Sequence, residues 1–209
     1  MHFLSMLPNE GMVLDIGANL GFLSAHISRH LTKGQVIAFE PMPDNLDALN
    51  YVVKKFNLKN VRVEACALGN EDGVVEMILP VEGKAKQQGL SHVVHDEIID
   101  HNEGIHFKVP IRKLDNIPFL FENGVNITAL KIDVENFEQY VLAGANKLFT
   151  TYHPLLYIEL WDNDNQKNCF RIMKGLGYVV KVHMNDSLVD YDKSVHTDKI
   201  NFFFVYGEK

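Results

Sequence analysis

Residues 13–25 read VLDIGANLGFLSA. An apolar run ending at Asp15 is the pattern of a buried strand, and Gly17, Asn19 and Gly21 then crowd into five positions before a helical pattern begins. The stretch is therefore a strand, a tight turn and the start of a helix. Gly17 and Gly21 lack a Cβ, so the chain can bend at positive φ and a ligand can approach the main chain. Asn19 is the residue type that best tolerates the left-handed region after glycine. A helix opening at Gly21 or Phe22 leaves free N–H groups facing the crevice, which suits a carboxylate or another anion. The turn has the form of a nucleotide-type ligand site.

Val36–Pro41, VIAFEP, is a second apolar strand that ends in an acid. Glu40 lies nineteen residues beyond Gly21, about the offset at which a carboxylate after the second strand reaches ribose hydroxyls. A dinucleotide fingerprint requires glycines where this chain has Asn19 and Phe22. The D-x-G-x-N-x-G form instead resembles the cofactor loop of class I S-adenosylmethionine methyltransferases, in which no pyrophosphate has to be cradled. An NAD(P)-dependent oxidoreductase on a similar sheet is the rival reading, and Phe22 argues against it.

The chain has 209 residues, 46% hydrophobic and 22% charged, which is ordinary for one domain with a large core. Its formal net charge of −7 argues against general binding to nucleic acid or to an anionic membrane. Cys66 and Cys169 sit far apart in apolar patterns, as buried thiols rather than a disulfide or metal pair, consistent with a reducing, cytoplasmic setting. The opening MHFLSML has no basic residue and meets Pro8 and Glu10 at once, so it does not read as a signal peptide, and no run is long enough to span a membrane.

Leu23, Ile27 and Leu31 give the first crossover helix its buried face, ending at Gly34. Pro43 starts a second helix, with Leu46, Leu49, Val52, Val53 and Phe56 inward, and Val61–Ala65 is a third strand. This alternation predicts an α/β fold with a doubly wound, mostly parallel sheet. After the third strand an extra strand pair and a loop are inserted: Val74–Leu79 and Phe107–Ile111 are extended, and residues 80–106 read as a lid or mobile insertion. That insertion holds His92, His95, His101 and His106 among Asp96, Glu97, Asp100 and Glu103; a metal reading lacks an established ligand spacing, so a solvated polar loop is expected. Ile127–Asp133, ITALKID, is the fourth core strand and Pro154–Leu160, PLLYIEL, the fifth. One helix between them carries Phe137, Tyr140, Val141 and Leu148. Asp162 to Asn165 are cap chemistry for a further helix; a calcium loop would need glycine at Lys167. A sixth strand starts at Tyr178, NFFFVY (Asn201–Tyr206) is the last, and the segment between them reads as a variable connection.

VLDIGANLG, FEPMPDNLDALN, EACALGNEDG, LKIDVENFEQYVLAGA and LLYIEL, in that order, resemble FkbM-type methyltransferases from about Val13 to Tyr178. The KIDVE run is the more discriminating piece, and Asn136 stands where the family usually has glycine, a position asparagine tolerates. The resemblance implies S-adenosyl-L-methionine as donor and a hydroxyl on a sugar or secondary metabolite as the small-molecule acceptor. With methyl transfer implied, Asp15 and the Gly17–Gly21 backbone, Asn19 included, are expected to hold the methionine part, Glu40 the ribose, and Ala67 and Leu68 the adenine, with Phe22 and Pro41 as further cofactor-binding residues.

An alcohol is a poor nucleophile until its proton is taken. Asp133, Glu135 and Glu159, placed by strand ends to face one crevice, are the candidate catalytic carboxylates, with Asp133 first and Glu159 second. Partners of helix caps, or of the cofactor's amino group, are the structural alternative for all three. A methyltransferase-like binding protein without turnover is a further alternative. The inserted loop and short amino end also raise the expectation of a homo-oligomer in which a neighbour completes the acceptor pocket.

Overall fold

Glu10–Ile16 forms β1, buried from Met12 onward, and the chain breaks at Gly17 with φ +73°. Only glycine fits this break, because an added Cβ would stand 1.9 Å from the carbonyl oxygen of Asp133. The structure, a computed structural model, describes residues 2–82, 85–95, 98 and 103–207. A short helix α1 (His2–Met6) precedes β1; α2 (Phe22–His30), β2 (Lys33–Phe39), α3 (Pro43–Lys55) and β3 (Val61–Glu64) follow it. Next come β4 (Ala67–Leu68), β5 (Gly73–Glu82), β6 (Ala85–Lys86), β7 (His92–Val93) and β8 (Gly104–Arg112). The last part holds β9 (Ile127–Ile132), α4 (Glu138–Ala143), α5 (Asn146–Tyr152), β10 (Leu155–Glu159), α6 (Asp164–Gly175), β11 (Tyr178–Met184), β12 (Ser187–Asp190) and β13 (Asn201–Tyr206).

The main sheet runs β12-β11-β13-β10-β9-β1-β2-β3. Pairs from β10 through β9, β1 and β2 to β3 are parallel, while β13 is antiparallel to both β10 and β11, and β12 to β11. Alternation along each strand splits the core in two. Val13, Val36, Ala129 and Phe203 pack with Phe3, Ile27 and Leu31 of the α1–α2 side. Leu14, Ile16, Leu130, Ile132, Leu156 and Ile158 pack with Val141, Leu148, Phe149 and Met173 of the α4–α6 side. The chain leaves β1 toward β2 and β3, then returns to β9 on the other flank of β1. Such a switch point opens a crevice at the carboxyl ends of the strands.

Among the described residues, the inserted segment contributes a second sheet. β5 and β8 pair from Gly73↔Ile111 to Pro80↔Gly104, β6 and β7 add to β5, and β4 pairs with β8. Met77, Leu79, Val93, Val109 and Ile111 of this second sheet pack on Met42, Ala67 and Phe137, so it forms one wall of the crevice. Two-residue strands are too short to show a period, which hides them in the sequence. His92 is buried with Nδ1 2.9 Å from the Leu90 carbonyl, and His95 packs its ring on Tyr140, 4.8 Å between centroids, so neither is the solvated loop residue expected. Asp96, Glu97, Asp100 and His101 lie outside the described residues.

Three further stretches depart from their sequence patterns. Phe56 is 46% exposed and stacks under the Arg29 guanidinium at 5.0 Å rather than facing the core. The helix after β9 is two helices, broken at Gly144, where a Cβ would stand 1.9 Å from the Gly69 carbonyl oxygen. The connection before β13 contains β12, joined to β11 through Asn185 and Asp186 at φ 46° and 63°. That is a two-residue hairpin turn built without the usual glycine.

Candidate active site

The crevice holds two cavities that share Gly17, Asn19 and Asp133. The first, about 620 Å³ with its open mouth, is lined by Glu40 and Pro41 after β2, Ala67 and Leu68 of β4, Met77 and Val93 of the inserted sheet, and Glu135. The second, about 700 Å³ with its mouth, is lined by Phe22, Lys131, Tyr157, Glu159 and Asn201. Gly17, Asn19, Glu40, Pro41, Ala67, Leu68, Asp133 and Glu135 thus meet in the first cavity, and Phe22 and Glu159 meet Asp133 in the second. Phe22 is 64% exposed at this second mouth.

Glu40 ties the glycine turn to β2. It is 4% exposed, and its Oε2 accepts the Asn19 N–H at 2.8 Å while Oε1 accepts the Met42 N–H at 2.9 Å and the Asn45 amide at 3.3 Å. Burial pushes its carboxyl above the ordinary range, and these hydrogen bonds oppose that. The Gly17 and Ala18 N–H groups bond the Phe39 carbonyl at 3.1 and 3.0 Å, so three successive loop amides are turned toward β2. Among the described residues, the buried amide oxygens of Asn19 and Asn45 have no hydrogen-bond partner, and both residues line the first cavity. Buried unsatisfied acceptors of this kind call for a ligand with donor groups.

Asp15 and Gly21 line neither cavity. Asp15 is fully buried, accepting from the Ser24 hydroxyl, with its other oxygen 3.7 Å from the Lys131 ammonium. Gly21 caps α2 at φ 80°, and a Cβ there would meet the Leu49 side chain at 2.3 Å, so it sets how closely α2 approaches α3. Lys131, which sequence reasoning passed over, donates to the Gly17 carbonyl at 2.8 Å and pairs with Asp133 at 3.4 Å. Its signal was a lysine between Leu130 and Ile132 in the strand ITALKI. It braces the turn from below and charges the floor of the second cavity.

Beyond Asp133 the chain passes through Glu135 at φ 53° and Asn136 at φ 71°, and the Asn136 side-chain oxygen accepts from Asn163 at 2.7 Å. Asparagine thus occupies the left-handed position as expected. Burial, followed by the Asp133, Glu138 and Glu159 carboxylates, pushes Glu135 up to about 7. Burial and Asp133 also raise Glu159, against Lys131. Glu138, a second residue missed in sequence, is buried under this turn, accepting from the Val134 N–H at 3.0 Å and from Asn165 at 2.6 Å; burial pushes it up to about 7.

Glu138 fixes the sign of a pH effect. An acid titrating near 7 in the fold, and near 4.5 when unfolded, binds more protons in the native state between those values. Stability is therefore expected to fall as pH rises from about 4.5 to 7, by roughly 3 kcal/mol if Glu138 acts alone. Urea midpoints at pH 5 and pH 8 check this, and equal midpoints would remove it.

The family description "Methyltransferase FkbM domain" matches residues 15–190. The chain is 22% identical over 190 residues to Methyltransferase 1 of Beauveria bassiana, covering 86% of this chain and 76% of that protein. It is 24% identical over 180 residues to the methyltransferase sdnD of Sordaria araneosa, covering 76% and 70%. Among solved structures, a methyltransferase FkbM from Methylobacillus flagellatus aligns with a TM-score of 0.61 at 18% identity, over 96% of this chain and 45% of that one, so the chain spans less than half of it. Fibrillarin from Aeropyrum pernix, solved with natively bound S-adenosyl-L-methionine, aligns with a TM-score of 0.51 at 14% identity, over 95% and 67%. The structural likenesses are of fold, and no helix among the described residues is long and apolar enough to cross a membrane. By the match across most of its length, the chain belongs to the FkbM methyltransferase family.

Proposed function

We propose that the protein transfers a methyl group from S-adenosyl-L-methionine to a hydroxyl oxygen of a small molecule, a sugar or secondary metabolite. The observation that carries the cofactor assignment is the Glu40 carboxylate, held by the Asn19 and Met42 amides in a cavity also lined by two residues whose buried amide oxygens are unsatisfied among the described residues. Ribose hydroxyls and an ammonium group are the donors such a lining lacks, and S-adenosylmethionine has both. When bound, it supplies a methyl carbon made electrophilic by a sulfonium.

The residues divide the work by cavity. Glu40 accepts from the ribose diol, and Ala67, Leu68, Met77 and Val93 enclose the base. Asp15 serves from behind, holding Ser24 of α2 and facing Lys131, so that the turn keeps its shape. Asp133, common to both cavities, orients the acceptor hydroxyl, and the Asp133, Glu135 and Glu159 cluster takes its proton. Burial and the neighbouring carboxylates push Glu135 up to about 7 and raise Glu159, which suits these two groups to proton transfer. Lys131 keeps the cluster from repelling itself out of position. A homo-oligomer that completes the second cavity, and a cytoplasmic setting, remain part of this proposal.

Calorimetric titration with S-adenosylhomocysteine, with NAD in parallel, tests the cofactor. Micromolar binding of the first alone is expected. Glu40→Gln is expected to weaken it by about 10- to 150-fold, the range for a lost charged hydrogen bond. Binding of NAD alone would overturn the assignment, and unchanged affinity in Glu40→Gln would remove Glu40 from the site. Binding with no methyl transfer to any of a panel of hydroxylated sugars and metabolites would favour a binding protein without turnover.

A further inference from the structure

At the outer edge of the main sheet, on the β11–β12 side, three side chains from distant parts of the sequence converge. His183 lies near the end of β11, and Asp186 sits in the tight turn to β12, its backbone fixed at φ 63°. His2 opens α1, and its ring stacks on that of His183 with centroids 3.4 Å apart and 17° between planes. One ligand atom from each of the three lies within 4.8 Å of the others. Helix α1 is not a loose end: Phe3 and Leu7 are buried in the core, and the Phe3 ring stacks on Tyr157 at 5.2 Å. Among the described residues, no hydrogen bond or ion pair engages these two rings or this carboxylate.

We propose that His2, His183 and Asp186 bind a divalent transition-metal ion of the zinc class, which clamps α1 onto the β11–β12 hairpin. Two imidazole nitrogens and one carboxylate oxygen are a donor set for borderline ions, whereas magnesium and calcium take oxygen donors. Zinc bonds of about 2.0–2.2 Å place donors roughly 3.4 Å apart, so the group must contract slightly around an ion. Each imidazole lone pair lies in its own ring plane, and two nearly parallel rings do not aim at one point. Binding therefore requires the rings to fan open. His2, exposed on the first turn of a five-residue helix, is free to make that rotation, and Asp186 on a hairpin tip supplies the rest. Water fills the fourth position. The ion would join residues 2 and 183 across almost the whole chain, and α1 backs the wall of the second cavity through Tyr157.

The test is calorimetric titration of the metal-free full chain with zinc chloride, with magnesium chloride as control, alongside thermal melts. One equivalent of zinc is expected to bind at micromolar concentration or tighter, with no magnesium uptake. His2→Ala and Asp186→Asn should each weaken zinc binding at least tenfold and abolish the rise in melting temperature that zinc gives the unsubstituted protein. Both replace exposed side chains, so an unchanged melt without zinc separates lost ligation from lost fold. Zinc bound equally well by both variants, or no saturable binding at a hundredfold excess over protein, would overturn the site.

Discussion

Asp133→Asn is expected to lower turnover about 10²- to 10⁴-fold while leaving S-adenosylhomocysteine affinity within a few fold. Asp133 follows β9 directly, lines both cavities, and is the carboxylate where a donor in one would meet an acceptor in the other. An amide of the same shape keeps the packing and loses the ability to accept a proton. The substitution carries a second readout. Burial first, and Asp133 next, raise Glu135 to about 7, so removing the Asp133 charge lets Glu135 ionise at lower pH. In the unsubstituted protein the basic form of Glu135 appears as pH rises through about 7; in Asp133→Asn the acid limb of the residual rate should move to lower pH. Rate profiles of both proteins with one identified acceptor check this. Full turnover in both Asp133→Asn and Glu159→Gln would end the assignment of the carboxylates to catalysis.

Gly17→Ala should be the most damaging change to the fold among the site residues. Two costs add: a left-handed conformation at φ +73°, and a Cβ placed 1.9 Å from the Asp133 carbonyl oxygen. The first is worth about 1–2 kcal/mol and the second about 1–3 kcal/mol, because main chain must move to relieve it. A loss of about 2–5 kcal/mol corresponds to a melting temperature lower by something on the order of 10 °C for a chain of this size. Cofactor binding should go with it, since the movement pulls β9 away from the turn and Asp133 out of both cavities. Gly73→Ala is the control, because a Cβ there meets nothing within 4 Å and should shift the melt by a degree or two at most. A Gly17→Ala protein that melts with the parent would contradict the close approach of β1 and β9.

The sequence displayed the half of the site that is local. The turn after β1 and the acid after β2 are each carried by a few consecutive residues whose chemistry admits few alternatives. Their meeting through the Asn19 N–H and the Glu40 carboxylate follows from the parallel pairing of β1 and β2. What the sequence concealed is contributed from a distance. Asn201 reaches the second cavity from β13, and Met77 and Val93 reach the first from the inserted sheet, and no periodicity in those segments refers to the crevice. Asp15 shows the opposite error. An acid at a strand end suggests ligand contact, but period-two alternation turns that side chain away from the crevice, toward Ser24 of α2. The hairpin turn at Asn185 and Asp186 escaped because its left-handed residues are not glycine, and the break at Gly144 because a close backbone approach leaves no mark on a helical pattern.

The antiparallel β13 has a consequence for how the protein comes to exist. It threads between β10 and β11, burying Phe202 and Phe204, and its Asn201 pairs with Glu159 at the mouth of the second cavity. A growing chain on the ribosome therefore carries the glycine turn after β1 long before it carries the finished wall of the second cavity. Until residue 206 has emerged, β10 and β11 each present an open edge and an apolar stripe with no neighbour, the state in which strands pair with the wrong chain. Synthesis from the amino end leaves the seam between β10 and β11 to be closed after both of its sides are made, by a strand that must be inserted rather than added.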